Sequence, residues 1–261
     1  MHKKRSDSWT PVSCWREAFA IEHSDHVALV GGGGKTTTMW SMAREYARLG
    51  PTVVTSTTKA GAPPGDVPLV TWAAELPSGH DLQAAMGTAL QLSRLVALGS
   101  GVRDGRLEGV SPIVVDEVFL RCGAGYIVNE ADGARMKPFK APAEYEPVIP
   151  STTTLCVIVV GLDAIGAPID EEHLHRPDKI VALTGATMGA PLSAEHVAKI
   201  VRVYLERLEG LESVRAAVLV NKADNGPDVP EVAALASALR DLDLAEIVVA
   251  TQRDGTRLWK M

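Results

Sequence analysis

Six short apolar runs, rich in valine and isoleucine, recur along this chain of 261 residues. Stretches with the spacing of amphipathic helices lie between several of them. Continuous apolar runs of this length are typical of strands buried on both faces of a parallel sheet. The six runs are HVALVG, PTVVTST, GYIVNEADG, LCVIVVG, AAVLVNKAD and EIVVAT.

This alternation of strand and helix predicts an α/β fold with three layers, doubly wound around a mainly parallel sheet. A helix over TTMWSMAREYARLG is expected to stop at Gly50, and another is expected to begin after Ser193, a favourable N-cap residue. The segment RLVALGSGVRDGRLEGV predicts a small inserted β-hairpin that turns at Asp104 and Gly105.

Composition limits the classes of function. The formal net charge of -6 argues against a protein that coats nucleic acid or an anionic membrane. No apolar run approaches the ~20 residues that span a bilayer, and the charged N-terminus has no apolar core typical of a secretory signal, so we expect a cytoplasmic protein. The three separated cysteines suggest neither a disulfide framework nor a zinc site. Without an evident linker, residues 19–261 are predicted to form a single domain that follows an N-terminal extension, residues 1–18.

A glycine-rich turn, VGGGGKTT, follows the first apolar run and precedes a helix pattern. Residues without side chains let backbone N–H groups face an anion, and the helix N-terminus adds positive charge. Lys35 is expected to reach the β and γ phosphates, and the Thr36 hydroxyl to ligate Mg²⁺. The usual spacing of such loops places its first glycine at Leu29. The predicted phosphate-binding residues are Gly31, Gly32, Gly33, Gly34, Lys35, Thr36 and Thr37.

A second motif, NKAD, ends the fifth apolar run. In guanine nucleotide-binding proteins this pattern places an aspartate where it accepts hydrogen bonds from the guanine N1 and amino groups, which adenine lacks. Asp224 is the predicted acceptor, Asn221 supports the loop, and the stem of Lys222 covers the ring. We therefore expect GTP to be favoured over ATP.

Magnesium requires oxygen ligands, and two acidic segments compete for the role. SPIVVDEVFL, which contains Asp116, begins with a serine cap and a proline and is predicted to be a helix. GYIVNEADG instead delivers Glu130 and Asp132 to the carboxyl end of a strand, where ligands bind in open parallel sheets. The predicted metal-side residues are Thr36, Asp132 and Thr58.

Basic residues follow this strand at Arg135, Lys137 and Lys140. They can steady phosphate charge in the transition state, bind an anionic second substrate, or belong to a solvated loop. The predicted catalytic residues are Lys35, Asp132 and Arg135. The HLHRPDK segment carries two histidines two residues apart, which is weak evidence for a transition-metal site.

With these motifs together, the chain resembles the YqeC family of selenium cofactor biosynthesis proteins. The resemblance rests on VGGGGKTT, TSTTK, NEADGARMKPFKAPAEYEPVIP, VVGLDAIG, HRPD and NKAD. It implies a P-loop NTPase fold and a role in the maturation of selenium-dependent molybdenum hydroxylases, with a hydroxylase or a cofactor-maturation protein as partner. In that family the position of Tyr145 is often histidine.

The resulting interpretation is a P-loop NTPase that binds Mg²⁺ and GTP, or ATP, and serves as an accessory factor for a metalloenzyme. Two alternatives remain open. A small-molecule kinase would transfer the γ phosphate to an acceptor held by Arg135, Lys137 and Lys140. A nucleotide-gated binding protein would not hydrolyse the nucleotide and would change its partner affinity instead. The sequence sets no oligomeric state.

Overall fold

The computed structural model describes residues 8–72, 79–211 and 214–261. In this part of the chain, the helices are α1 (Trp15–Ala18), α2 (Lys35–Tyr46), α3 (Gly79–Leu92), α4 (Pro112–Arg121), α5 (Pro177–Thr184), α6 (Ala194–Leu208) and α7 (Pro230–Leu239). The strands are β1 (Thr10–Val12), β2 (Asp25–Gly31), β3 (Thr52–Ser56), β4 (Lys59–Gly61), β5 (Leu69–Thr71), β6 (Leu95–Gly99), β7 (Gly101–Arg103), β8 (Arg106–Glu108), β9 (Tyr126–Glu130), β10 (Leu155–Gly161), β11 (Arg215–Asn221), β12 (Glu246–Thr251) and β13 (Arg257–Lys260).

Ten strands form one sheet in the order β1-β13-β12-β11-β10-β2-β9-β3-β6-β5. The eight strands from β12 to β5 pair in parallel, and β13 and β1 add antiparallel pairs at one edge. The prediction of an α/β fold with a mainly parallel sheet is therefore confirmed. Because the strands are parallel, their carboxyl ends meet along one edge of the sheet, where ligands bind in such folds.

All six apolar runs form strands of this sheet, namely β2, β3, β9, β10, β11 and β12. The predicted hairpin is present as β7 and β8, with positive φ angles at Asp104 and Gly105. The start of the predicted segment is not part of the hairpin, because Leu95–Gly99 forms β6 and pairs in parallel with β3 and β5 in the large sheet. The hairpin pairs further with β4 into a three-stranded sheet that the sequence did not predict. Ser193 caps α6 by accepting a hydrogen bond from the backbone N–H of His196.

Helices cover both faces of the large sheet. Alternate residues of the central strands point to opposite sides. Val27 and Leu29 pack with α1 and α2, whereas Ala28 and Val30 lie in a core that includes α5, α6 and α7. The helices α3 and α4 pack with residues of β3, β6 and β9 in a third cluster. This arrangement gives three layers.

The predicted N-terminal extension lies partly outside the described residues, which begin at residue 8. Its described part belongs to the packed structure, since β1 pairs with β13 and Trp15 is buried. The indole Nε1 of Trp15 donates a hydrogen bond of 2.8 Å to the hydroxyl of Ser41 on α2. Residues 10–18 therefore share the sheet and core of the following chain, while the domain boundaries stay a prediction. Among the described residues, no helix combines the length and apolarity needed to cross a membrane.

One buried histidine makes the fold sensitive to acid. His26 in β2 is fully buried, and its Nδ1 lies 2.9 Å from the Thr152 hydroxyl, while its Nε2 has no hydrogen-bond partner in the described part of the chain. Burial lowers the pKa of His26 from 6.5 to about 3, and the nearby Asp116 opposes this shift only in part. The folded chain therefore keeps this imidazole neutral at pH values where the unfolded chain protonates it.

We expect the free energy of unfolding to fall as the pH decreases from about 6.5 towards 3, because the unfolded state binds one more proton at His26. The slope from this group is at most about 1.4 kcal/mol per pH unit. His26→Gln should reduce the slope in urea titrations between pH 7.5 and 5, whereas His23→Gln, at an exposed position, should not. Equal slopes in the wild-type chain and His26→Gln would contradict this assignment.

Candidate functional site

The glycine turn between β2 and α2 is packed tightly against two other backbone segments. Gly31, Gly33 and Gly34 have φ angles of +89°, +83° and +110°, which side chains disfavour. A Cβ at Gly33 would lie 2.1 Å from the backbone nitrogen of Gly161, and one at Gly31 would lie 2.4 Å from the carbonyl oxygen of Val159. The glycines are thus required for chain packing, in addition to any role towards a ligand.

The first three glycine N–H groups are bonded within the protein. Gly31 donates to the Asp132 carboxylate, with distances of 3.1 and 3.0 Å to its two oxygens. Gly32 and Gly33 donate to the carbonyls of Val159 and Lys137 at 2.9 and 3.0 Å. This differs from the expectation that all four glycines turn their N–H groups inward on an anion. The close approach that glycine permits brings protein acceptors to these groups instead.

The amino end of α2 is different. Its N-cap, Gly34, provides no side-chain cap, and the first turn contains no acidic residue. Within the described residues, the backbone N–H groups from Gly34 to Thr37 have no hydrogen-bond acceptor. Unpaired N–H groups and the helix dipole make this end of α2 electropositive.

Four predicted residues meet beside this helix end. The buried Nζ of Lys35 donates to the Gly31 carbonyl at 2.6 Å and lies 3.2 Å from Oδ1 of Asp132. It also lies 3.7 Å from Oε1 of Glu130, whose other oxygen accepts a 2.8 Å hydrogen bond from the Thr36 hydroxyl. Burial raises the pKa of Glu130, and Lys35 and Thr36 oppose that shift.

Asp132 is the centre of a larger buried network. Besides Gly31 and Lys35, its carboxylate accepts a 2.8 Å hydrogen bond from the hydroxyl of Tyr204 on α6 and lies 3.1 Å from Nζ of Lys140. Asp132, Tyr204 and Lys140 are all fully buried. Burial raises the pKa of Tyr204 well above its usual value, with the Asp132 charge acting in the same direction.

The network continues through Glu146. Its Oε2 lies 2.6 Å from both Nζ of Lys140 and Nη1 of Arg176. Burial alone would raise the pKa of Glu146, but the hydrogen bonds from Arg176, the Ala143 N–H and Lys140 outweigh it and lower the pKa to about 2. Burial lowers the pKa of Lys140, against the opposing effect of Asp132 and Glu146. Positive and negative charges therefore alternate along one continuous chain of side chains, in the order Lys35, Asp132, Lys140, Glu146 and Arg176.

The NKAD motif is held beside the glycine turn. The Asn221 amide donates a 2.8 Å hydrogen bond to the Gly33 carbonyl, and its oxygen accepts one of 3.0 Å from Gln252. Asp224 accepts a 2.6 Å hydrogen bond from Thr251 at the end of β12. Lys222 has a φ of +62° and forms an ion pair of 2.7 Å with Asp163.

Other candidates lie further from this cluster. Thr58 contacts Ser56, and its hydrogen bonds reach neither Thr36 nor Asp132. Arg135 is exposed on the wall of a neighbouring cavity. Asp116 lies in α4, as predicted, and accepts hydrogen bonds from Ser151 and Thr152.

No cluster of three or more metal-ligating His, Cys, Asp or Glu side chains occurs in the described residues, so the histidine segment gives no support to a transition-metal site.

Sequence reasoning missed two members of the cluster. Tyr204 sits at a helix position that reads as an ordinary core residue, and Gln252 follows β12 without any motif. Lys140 was predicted to contact a phosphate or an anionic substrate, or to lie in a solvated loop, and Glu146 was not singled out, whereas both are buried and paired with each other. The sequence shows that these residues are polar or charged, but it does not indicate which side chains they contact.

The fold and this cluster describe an α/β protein whose buried charged site lies at the carboxyl edge of a parallel sheet. A sequence model described as YqeC protein matches residues 27–178. The Uncharacterized protein YqeC of Escherichia coli (strain K12) is 30% identical over 180 residues, which is 67% of this chain and 67% of that protein. The chain therefore belongs to the YqeC family. No solved structure matches it.

The family match includes the glycine turn and the network up to Arg176, but it ends before the NKAD motif. The residues matched by the family model therefore include Lys35, Asp132, Lys140 and Glu146. The prediction that Asn221 and Asp224 recognise a base rests on the motif and on the local geometry alone.

Gly33→Ala is expected to destabilise the fold by at least about 2 kcal/mol, because it adds a steric clash to an unfavourable φ. Chemical denaturation followed by circular dichroism measures the effect. The matched control is Gly65→Ala, at a position with no atom within 4 Å of the added Cβ, which should change stability by no more than about 0.5 kcal/mol. Similar stabilities of the two variants would show that the turn has room for a side chain.

Proposed function

We propose that this member of the YqeC family binds a Mg²⁺-nucleotide complex and hydrolyses GTP, as an accessory factor in the maturation of selenium-dependent molybdenum hydroxylases. The observation that carries the proposal is the uncapped amino end of α2, with Lys35 and Thr36 in its first turn. A phosphate group satisfies unpaired N–H groups at such a position and is attracted by the helix dipole.

The contacts of Lys35 would allow its ammonium group to leave its present partners and bind a phosphate. Its Nζ now bonds to the Gly31 carbonyl and Asp132. If Lys35 turned to a phosphate, Asp132 would keep Lys140, the Tyr204 hydroxyl and the Gly31 N–H. The buried carboxylate would therefore not lose its compensation, which lowers the cost of the movement.

The donor set also fits Mg²⁺, which prefers carboxylate and hydroxyl oxygens. Thr36 and Glu130 already meet at 2.8 Å, and Glu130 has fewer partners than Asp132. We therefore favour Glu130, in place of the predicted Asp132, as the carboxylate ligand of Mg²⁺. Asp132 instead holds the glycine turn and Lys35 in position. Bound Mg²⁺ would neutralise charge on the β and γ phosphates.

The NKAD motif supports guanine as the base. Asn221 fixes the motif to the glycine turn through the Gly33 carbonyl. One oxygen of Asp224 accepts the hydrogen bond from Thr251, while the other has, within the described part of the chain, only the Arg253 guanidinium at 3.8 Å. That second oxygen can accept the hydrogen bonds that guanine offers and adenine does not.

The maturation role rests on membership in the family and on the resemblance of the NEADGARMKPFKAPAEYEPVIP segment. It is tested in a host that depends on such a hydroxylase. Disruption of this gene should abolish hydroxylase activity without removing the hydroxylase polypeptide, and the wild-type gene should restore it. Full hydroxylase activity after disruption would exclude the role without affecting the proposal of nucleotide binding.

Lys35→Ala should weaken the binding of Mg-GTP, Mg-ATP and Mg-CTP alike, by at least about tenfold, because it removes a phosphate contact that all three share. Isothermal titration calorimetry gives the three affinities. Lys199→Ala is the matched control, since Lys199 also donates to a backbone carbonyl, that of Thr184, but on α6. Unchanged nucleotide affinities in folded Lys35→Ala would exclude the glycine turn as the phosphate site.

Asp224→Ala should reduce GTP affinity by about tenfold or more and leave ATP affinity unchanged, because only guanine donates to this carboxylate. Asp228→Ala, at an exposed position in the following loop, serves as the control. Equal losses of GTP and ATP affinity in Asp224→Ala would remove the claim of base recognition. Release of phosphate from bound GTP, measured in parallel, separates a GTPase from a protein that binds the nucleotide without hydrolysing it.

A further inference from the structure

A cavity of about 840 Å³ lies on the side of the cluster away from the NKAD motif. It is lined by the loop after β3, the loop after β9 and the start of α5, including Thr57, Gly133 and Arg176. In the sheet order, β11 and β12 lie on one side of β2, and β9 and β3 lie on the other. A nucleotide with its base at β11 and its phosphates at β2 would therefore point its terminal phosphate towards this cavity.

The cavity wall carries more cations than its carboxylates neutralise. Its basic residues are Lys59, Arg106, Arg135, Lys137 and Arg176, and its acidic residues are Glu108, Glu146, Glu171 and Asp178. Glu108 is paired with Lys59 at 2.8 Å, and Glu146 is shared by Arg176 and the buried Lys140. Arg135 has neither an ion pair nor a hydrogen bond to any described residue, so its guanidinium remains available in the cavity.

Two features of the wall indicate a prearranged electropositive surface. Arg135 and Arg176, which both line the cavity, have φ angles of 48° and 62°, a strained conformation that clusters at ligand sites. His175 lines the same cavity, and its ring has no hydrogen-bond partner among the described residues. Burial, reinforced by the charges of Arg176, Lys140 and Arg135, lowers the pKa of His175 to about 4 despite Glu146. Its imidazole is therefore neutral at pH 7.

We propose that this cavity is the binding site of a small organic anion, with a phosphate or carboxylate group held by Arg135 beside His175. The volume lies within the range of small-molecule sites and exceeds what an inorganic ion alone would fill. The role of this anion, as a second substrate or an effector, rests on the proposed function. Binding of the anion itself requires no nucleotide.

The experiment follows the His175 ring by NMR in the full chain labelled at histidine, at neutral pH and without Mg²⁺ or nucleotide. The probes are inorganic phosphate and citrate, each compared with sodium chloride at equal ionic strength. The His175 signal is assigned from its loss in His175→Gln. We expect a saturable shift of this signal with at least one probe and none at exposed His23, which precedes β2 at the opposite edge of the sheet.

Arg135→Gln should weaken the saturating probe by about tenfold, since it removes a charge-assisted contact. Arg121→Gln, at an exposed position on α4, should leave the affinity unchanged. Shifts that never saturate, that follow ionic strength, or that persist unchanged in Arg135→Gln would overturn the proposal. Nucleotide affinity is measured separately, so failure of the anion site is distinguishable from failure of the proposed nucleotide site.

Discussion

A single buried carboxylate, Asp132, connects the parts of the molecule on which its site depends. It binds the glycine turn through the Gly31 N–H, α2 through Lys35, α6 through Tyr204 and the loop after β9 through Lys140. An unpaired charge at this depth would strongly destabilise the fold, so each partner is constrained by the others. The position of Lys35 at the amino end of α2 is therefore set by contacts from three separate parts of the chain.

The glycine turn explains why these segments can approach so closely. A side chain at Gly31 or Gly33 would occupy the space of Val159 and Gly161 at the end of β10. The same closeness lets Gly33 donate to the Lys137 carbonyl, which ties the loop after β9 to the turn. The glycines that are predicted to bind phosphate thus also hold the loop after β9, which lines the neighbouring cavity, against the turn. A change in this turn is expected to disturb both places.

The elements that sequence predicted well are those governed by local patterns. The six central strands are buried on both faces, so their apolar runs are uninterrupted and easy to recognise. β1 and β13 were missed because their segments, TPV and RLWK, are short and partly exposed. The sequence also indicates that four site residues lie close together, because the motifs that contain them follow parallel strands, whose carboxyl ends meet at one edge of the sheet. These residues are Lys35, Thr36, Glu130 and Asp132. Tyr204 could not be placed, since its contact with Asp132 spans 72 residues and depends on how α6 packs.

The buried charges are difficult to explain by stability alone. Replacing a buried ion pair by apolar residues is often neutral or stabilising, because removing charges from water costs as much as their attraction returns. Here Lys35, Lys140 and Arg176 share two carboxylates, Asp132 and Glu146, in one connected chain. Glu130 lies 3.7 Å from Lys35, so three carboxylates in all face the three cations. Lys35 and Arg176 stand at the two ends of the connected chain, beside the amino end of α2 and in the cavity wall, and an anion at either place could therefore reach one of these cations.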